Sequence, residues 1–308
     1  MIKANGLDMA VYEQGSGAPV ILLHGFPELA FSWRHQLPAL AAAGYRAIAP
    51  DQRGYGRTSV PPNVTDYCMS ELIADVHGLL DALDLDTATF VGHDWGAFVL
   101  WNMAMLAPER IEKLVILNIP HYPRPPVDPI GIMRERLGNN FYIVNFQDSD
   151  EADRVFGADP RHFIDRMMRK NVITREQFDK LPPEYQIISL LRTTLADEAS
   201  GDALLSEAEL DYYASAFSKS GFTGPINWYR NWTSNWERLE GVDQRIDIPT
   251  LFIGAVDDVV IGLQHIEGMK PLVDDLTVHM LDGCGHWTQQ ERPDDVNRLT
   301  VDWLVERR

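Results

Sequence analysis

One five-residue tract constrains this chain more than any other. Gly92-His93-Asp94-Trp95-Gly96 lies between the run Thr89-Phe90-Val91 and the apolar stretch Phe98 to Leu106, which stops before Pro108. A β-branched and aromatic run feeding straight into a helix-length apolar segment reads as a strand that turns into a buried helix. So tight a turn forces its central residue into a strained backbone conformation, and the positions two before and two after it must be glycine or nearly so. Gly92 and Gly96 meet that demand. Taken alone, Asp94 could instead be an ordinary cap on the following helix.

The surroundings repeat the same grammar. Val20 to Leu23 is a buried-strand run ending in His24-Gly25-Phe26-Pro27, and Arg46 to Ala49 runs into Asp51-Gln52-Arg53-Gly54-Tyr55-Gly56. Ser70 to Leu83 has helical spacing at Leu72, Val76, Leu79, Leu80 and Leu83, and Leu114 to Leu117 is another strand. Such alternation predicts a mostly parallel sheet with helices on both faces, whose ligands sit at the carboxyl ends of the strands. After Asn118 the pattern breaks: five of 19 prolines fall between Pro120 and Pro129. The helical candidates Pro160 to Lys170, Thr174 to Leu181, Ser206 to Ser218 and Pro225 to Trp236 then follow. Strands Thr250 to Ile253 and Leu276 to Met280 and a closing helix Pro293 to Glu306 resume the sheet pattern. The expected organisation is a core of residues 1–121 and 246–308 interrupted by a helical cap over 122–245.

Charge narrows the partners. With 27 Lys and Arg against 45 Asp and Glu the net charge is −18, a field that repels phosphates and anionic lipid, so neither nucleic acid nor membrane is an expected partner. No window reaches the ~18 uncharged apolar residues of a membrane span, and Met1-Ile2-Lys3-Ala4-Asn5-Gly6 lacks the apolar run of a signal peptide. The expectation is a cytoplasmic protein. Cys68 and Cys284 fall in no metal or redox spacing, and Cys284 reads as a small buried thiol.

Two later sites give Asp94 chemical company. After Thr250 to Ile253 comes Gly254-Ala255-Val256-Asp257-Asp258, and after Leu276 to Met280 comes Asp282-Gly283-Cys284-Gly285-His286-Trp287. Nucleophile, acid and His in that chain order, each past a strand end, form a nucleophile-elbow triad. The amides of Phe26, after an early strand, and of Trp95, next to the nucleophile, converge as an oxyanion hole. His24 reads as a structural hydrogen-bonding residue of its turn.

Together, His24-Gly25-Phe26-Pro27-Glu28, Asp51-Gln52-Arg53-Gly54-Tyr55-Gly56, Gly92-His93-Asp94-Trp95-Gly96, Asn227-Trp228-Tyr229-Arg230-Asn231 and Gly283-Cys284-Gly285-His286-Trp287 resemble the α/β-hydrolase-fold epoxide hydrolases of the soluble type. The resemblance spans nearly the whole chain. It implies that Tyr229 and Tyr142, the latter set before Phe146-Gln147, hold the epoxide oxygen from the cap, and that Asp257, three residues past Gly254, is the acid that orients His286, with Asp258 the alternative. Glu28 resembles a carboxylate that positions water, and a surface ion pair accounts for it equally well. Trp95, Phe141 and Trp228 are the expected substrate-binding residues, and the aromatic cap favours an apolar or aryl epoxide.

These residue types suit the reaction. An epoxide carbon is alkylated by a carboxylate already ionised at neutral pH, so Asp94 needs no base. The departing alkoxide is far more basic than a phenoxide of pKa ≈ 10, and the two phenols can give it a proton. The ester left on Asp94 is then hydrolysed by water that His286 deprotonates, which yields a vicinal diol. Nucleophile, base and acid are all side chains, so no cofactor or metal is implied. The rival enzyme is a haloalkane dehalogenase with the same Asp nucleophile, for which paired phenols would be superfluous. A non-catalytic ligand-binding protein of the same fold is the alternative of another class. Self-association into a homo-oligomer is left open.

Overall fold

A computed structural model describes residues 1–307. Its central sheet has seven strands: β1 (Val11–Gly15), β2 (Ala18–Leu23), β3 (Tyr45–Pro50), β4 (Ala88–His93), β5 (Ile111–Leu117), β6 (Thr250–Ala255) and β7 (Leu276–Leu281). They lie in the order β1-β3-β2-β4-β5-β6-β7, with β1 antiparallel to β3 and every other pair parallel. Successive residues of β2 serve opposite cores: Ile21 and Leu23 face one, Val20 and Leu22 the other. The first core is completed by α2 (Met69–Ala82) and α3 (Trp95–Leu106), the second by α1 (Gln36–Ala42) and the closing helix Pro293–Glu306. Burial on both faces is why the inner strands read as continuous apolar runs rather than as alternation.

Edge elements were less legible. The edge strand β1, with Glu13, Gln14 and Gly15 exposed, and the small antiparallel pair Ile2–Ala4 with Leu7–Met9 carry no apolar run. Between β5 and β6 the chain forms the cap, which includes the helices Pro129–Leu137, Tyr142–Asp148, Glu151–Ala158, Pro160–Met167, Arg175–Asp179 and Glu207–Ser220. The segment expected as one helix from Pro225 to Trp236 is two, Thr223–Arg230 and Trp232–Arg238, joined at Asn231. There the Asn231 side-chain amide donates to the Asn227 carbonyl at 2.8 Å and to the Val64 carbonyl of the core at 2.7 Å. It satisfies a carbonyl that the first helix leaves unpaired at its end and stitches cap to core.

The turn between β4 and α3 has no room to spare. A Cβ on Gly96 would stand 2.1 Å from the Leu23 carbonyl oxygen, and one on Gly25 would stand 2.4 Å from the Cβ of Asp94. Backbone obstructs the first of these, so no rotamer change relieves it. Gly96→Ala should therefore destabilise the protein by about 3 kcal/mol and lower the melting temperature by roughly 5–10 °C. Thermal denaturation followed by circular dichroism measures this, and an unchanged melting temperature would refute the close approach.

Candidate active site

Asp94 occupies the turn itself, with φ 49° and ψ −118°, backbone that a non-glycine residue adopts only under constraint. Buried β4 on one side and buried α3 on the other hold it there. Its Oδ1 accepts a hydrogen bond of 2.8 Å from the Phe26 N–H, which Gly25 allows to come close. The Trp95 N–H, the other expected donor, belongs to the first residue of α3, where helix geometry leaves the amide unpaired.

The Asp94 Oδ2 lies 3.7 Å from His286 Nε2, and His286 Nδ1 lies 2.9 Å from Oδ2 of Asp258. The acid on the histidine is thus Asp258, not Asp257. The reason is local: β6 runs through Ala255, further than the apolar run suggested, and the turn that follows, with the Asp258 N–H on the Ala255 carbonyl, brings residue 258 inward. Asp258 is 2% exposed, and its carboxylate also accepts from the Asn118 amide at 2.7 Å and the Val260 N–H at 2.9 Å. Asp257 is half-buried and points to the cap, accepting from the Arg175 N–H at 2.8 Å.

Burial opposes ionisation of all three groups, and their mutual attraction overrides it. Asp258 and Asp94 are both held below the ordinary carboxylate range against that desolvation, chiefly by His286. His286 is pulled well above the usual imidazole value, against its own burial, first by the charge of Asp258 and then by Asp94.

Over this triad lies a cavity of about 360 Å³ lined by Asp94, His286, Tyr142 and Tyr229 among others. The two phenol rings meet edge-on with centroids 5.6 Å apart. Tyr142 begins its helix, with its N–H on the Ile188 carbonyl, and Gln147 donates to the Tyr229 carbonyl at 2.9 Å, so each is fixed by cap backbone. Burial, then the charge of Asp94, raises both phenols above their usual pKa, which keeps them proton donors.

The expected substrate-binding aromatics are placed differently. Trp228 is sealed between Tyr55 and Trp95, its indole N–H on the Arg53 carbonyl at 3.1 Å, and it locks cap to core. Trp95 packs against Tyr229 and Trp232, and Phe141 against Tyr142. The cavity wall comes instead from Met167 to Thr174, Ile188, Leu190, Val259 and Val260. Those residues lie mostly on irregular segments, where periodicity gives no signal.

Glu28 is no surface ion pair but fully buried. Its Oε2 accepts from the Gly25 N–H at 3.0 Å and meets His93 Nδ1 at 2.7 Å, and its Oε1 accepts from Gln289 and Gln290. The other His93 nitrogen bonds the His286 carbonyl at 2.8 Å, so this buried network holds the His286 main chain from beneath. His24 is buried within its own turn, and burial pushes the Cys284 thiol up to about 12, which removes it as a nucleophile. Among the described residues no cluster of three His, Cys, Asp or Glu side chains is arranged to hold a metal ion.

Comparison with known proteins adds three findings. The alpha/beta hydrolase fold family profile matches residues 18–293. Epoxide hydrolase A of Mycobacterium tuberculosis is 39% identical, over 99% of this chain and 96% of its own, and epoxide hydrolase 1 of Siraitia grosvenorii is 37% identical over 98% and 96%. The crystal structure of epoxide hydrolase A from Mycobacterium thermoresistibile superposes with a TM-score of 0.88 at 38% identity, covering 98% of this chain and 96% of that one.

The two neighbouring acids can be told apart directly. Asp258→Asn should lower the titration midpoint of His286, because the larger stabilising charge is lost, whereas Asp257→Asn should lower it less. Histidine ring NMR across a pH series reads both, and the reverse ranking would reject the assignment of Asp258.

Proposed function

The chain belongs to the α/β hydrolase fold family and is an epoxide hydrolase; from that premise we propose that it converts its substrate to a vicinal diol through a covalent ester on Asp94. Residues 1–121 and 246–308 act as the catalytic core and 122–245 as the cap that supplies the proton donors. The single observation that carries this reading is the meeting, in one cavity, of a carboxylate on a strained turn, a carboxylate-paired imidazole and two phenols, Tyr229 buried and Tyr142 half-buried.

The geometry divides the labour. Oδ1 of Asp94 is engaged by the Phe26 amide, which leaves Oδ2 to attack an epoxide carbon. As the Oδ2–C bond forms, the ring C–O bond breaks, and a proton from Tyr142 or Tyr229 passes to the alkoxide. Esterification also removes the charge of Asp94, one of the two that hold the His286 proton, so the imidazole sheds that proton more readily and is available in its neutral form for the second step. His286 then takes a proton from water, and the hydroxide adds to the Asp94 carboxyl carbon. Negative charge develops on Oδ1, against the Phe26 amide and the unpaired Trp95 amide, where one such donor is worth about 3 kcal/mol. Collapse breaks the bond to Oδ2, which leaves with the diol and takes the proton from His286, and the proton of the new Asp94 carboxyl group returns to the phenolate, so that nucleophile and phenol are both restored.

Substrate character follows from the walls. Val172, Ile173, Ile188, Leu190, Val259 and Val260 present an apolar surface, which supports an apolar or aryl epoxide. Among the described residues no helix is long and apolar enough to cross a membrane. A dehalogenase would have no use for a proton at the leaving group, so the phenols favour the epoxide.

Two experiments test the sequence of steps. His286→Gln should still be alkylated and then stall, accumulating a mass increase of one substrate, and in wild type a single turnover in ¹⁸O-water should label the Asp94 peptide and not the diol. Label in the first-turnover diol would reject the ester. Tyr229→Phe and Tyr142→Phe should each slow alkylation by roughly 10²-fold, since each removes a proton donor but no ring. Rapid-quench mass spectrometry measures this, and undiminished alkylation in both would remove the phenols from the mechanism.

A further inference from the structure

Arg175, which opens the short cap helix Arg175–Asp179, reaches to the loop that carries Asp258. Its guanidinium Nη2 donates to the carbonyl oxygens of both Asp258 and Ile261, and its backbone N–H donates to Asp257 at 2.8 Å. Only 16% of the side chain is exposed, and its nearest carboxylate, Asp179, lies 3.6 Å away in the same helix. Three hydrogen bonds therefore join one cap residue to residues 257, 258 and 261, on either side of the cavity-lining pair Val259 and Val260.

That arrangement is unlike a surface ion pair. The acid loop follows β6 without regular structure of its own until residue 263; the carboxylate of Asp258 is aimed by Asn118 and Val260, the main chain is tied to the core by the Asp257 N–H on the Cys284 carbonyl at 3.1 Å, and Arg175 adds the tie to residues 258 and 261 from the cap. Backbone carbonyls are the acceptors, so the contact fixes the position of the loop rather than neutralising a charge. A fork with two N–H groups on one nitrogen can hold two carbonyls at once.

We propose that Arg175 is a positioning residue for ester hydrolysis, gripping the carbonyls of Asp258 and Ile261 from the cap so that Asp258 stays aligned on His286. The proposal rests on the covalent reading above. It makes the base of the second step dependent on cap closure, because the grip crosses from one layer to the other.

The effect is specific to one of several charges around the imidazole. His286 faces Asp258 from the acid loop, Asp94 from the elbow, His93 with ring centroids 4.9 Å apart, and Glu291, whose charge also reaches it. Loosening the loop weakens the hold of Asp258 alone. Since a nearby negative charge raises an imidazole pKa, the midpoint must then fall.

Styrene oxide serves as the probe, in single turnovers of wild type, Arg175→Gln and Arg175→Lys across pH 5 to 9, with melting temperatures recorded alongside. In Arg175→Gln, alkylation should stay within about threefold of wild type, while the plateau rate of ester hydrolysis falls about tenfold or more and its acid limb moves down by about one pH unit. Arg175→Lys, which keeps donors on a less suitable frame, should lie between the two, and it decides the matter if the Gln variant does not fold. Hydrolysis with the wild-type midpoint, whatever the melting temperature, would overturn the role of Arg175 alone. Absence of any adduct, in these proteins and in His286→Gln, would overturn the covalent reading and this role with it.

Discussion

The structure depends on one carboxylate held where a relaxed backbone would not put it. A residue with φ 49° outside glycine costs on the order of 1–3 kcal/mol, and Asp94 bears that cost because β4 and α3, both buried along their length, leave it no alternative. The strain has a direct chemical use. It lifts the side chain off the end of the sheet, turns Oδ1 to the Phe26 amide and leaves Oδ2 toward His286. Gly25 and Gly96 exist on this account, since a methyl group at either would collide with the Asp94 side chain or with the Leu23 backbone.

Around that carboxylate the charges are arranged as an alternation. Asp258, His286 and Asp94 form a negative-positive-negative row in a buried setting, where each group would be costly to ionise alone and is stabilised by its neighbour. Such a row responds to chemistry. Esterifying one end removes a charge and frees the imidazole to act as a base, so the first step of the proposed mechanism prepares the second. Beneath it, the network of Glu28, His93, Gln289 and Gln290 holds the His286 main chain without taking part in the row.

The two layers contribute different chemistry. In the proposed mechanism the core supplies nucleophile, base and oxyanion donors and the cap supplies the phenols, and the two share the cavity wall equally. Their seam combines aromatic packing of Phe26, Tyr55 and Trp95 against Trp228 and Tyr229 with specific polar ties: Trp228 on the Arg53 carbonyl, Asn231 on the Val64 carbonyl, Asn235 accepting from the Met69 amide, and Arg175 on the acid loop. Such ties set register rather than adhesion, which suits a site whose reacting groups come from both sides. The surplus negative charge of the surface has no counterpart in an apolar cavity, and it accords with solubility rather than steering.

Much of this was legible in the chain itself, because turns that demand glycine, buried apolar runs and chain order are local properties. The elbow at Asp94, the strands β2 to β7, His286 and the Phe26 turn follow from residues near one another in sequence, whereas the cap phenols were implied by the family resemblance. What tertiary structure decided is of another kind. Asp258 rather than Asp257 meets His286 because a strand ends two residues later than its apolar run implies, and adjacent residues then face opposite ways. Trp228 seals a seam and the segment Met167 to Thr174 lines the cavity because those assignments depend on which surfaces the cap and core bring together. Spacing along a chain encodes backbone shape, but which neighbour a side chain meets is settled only when distant segments close on each other.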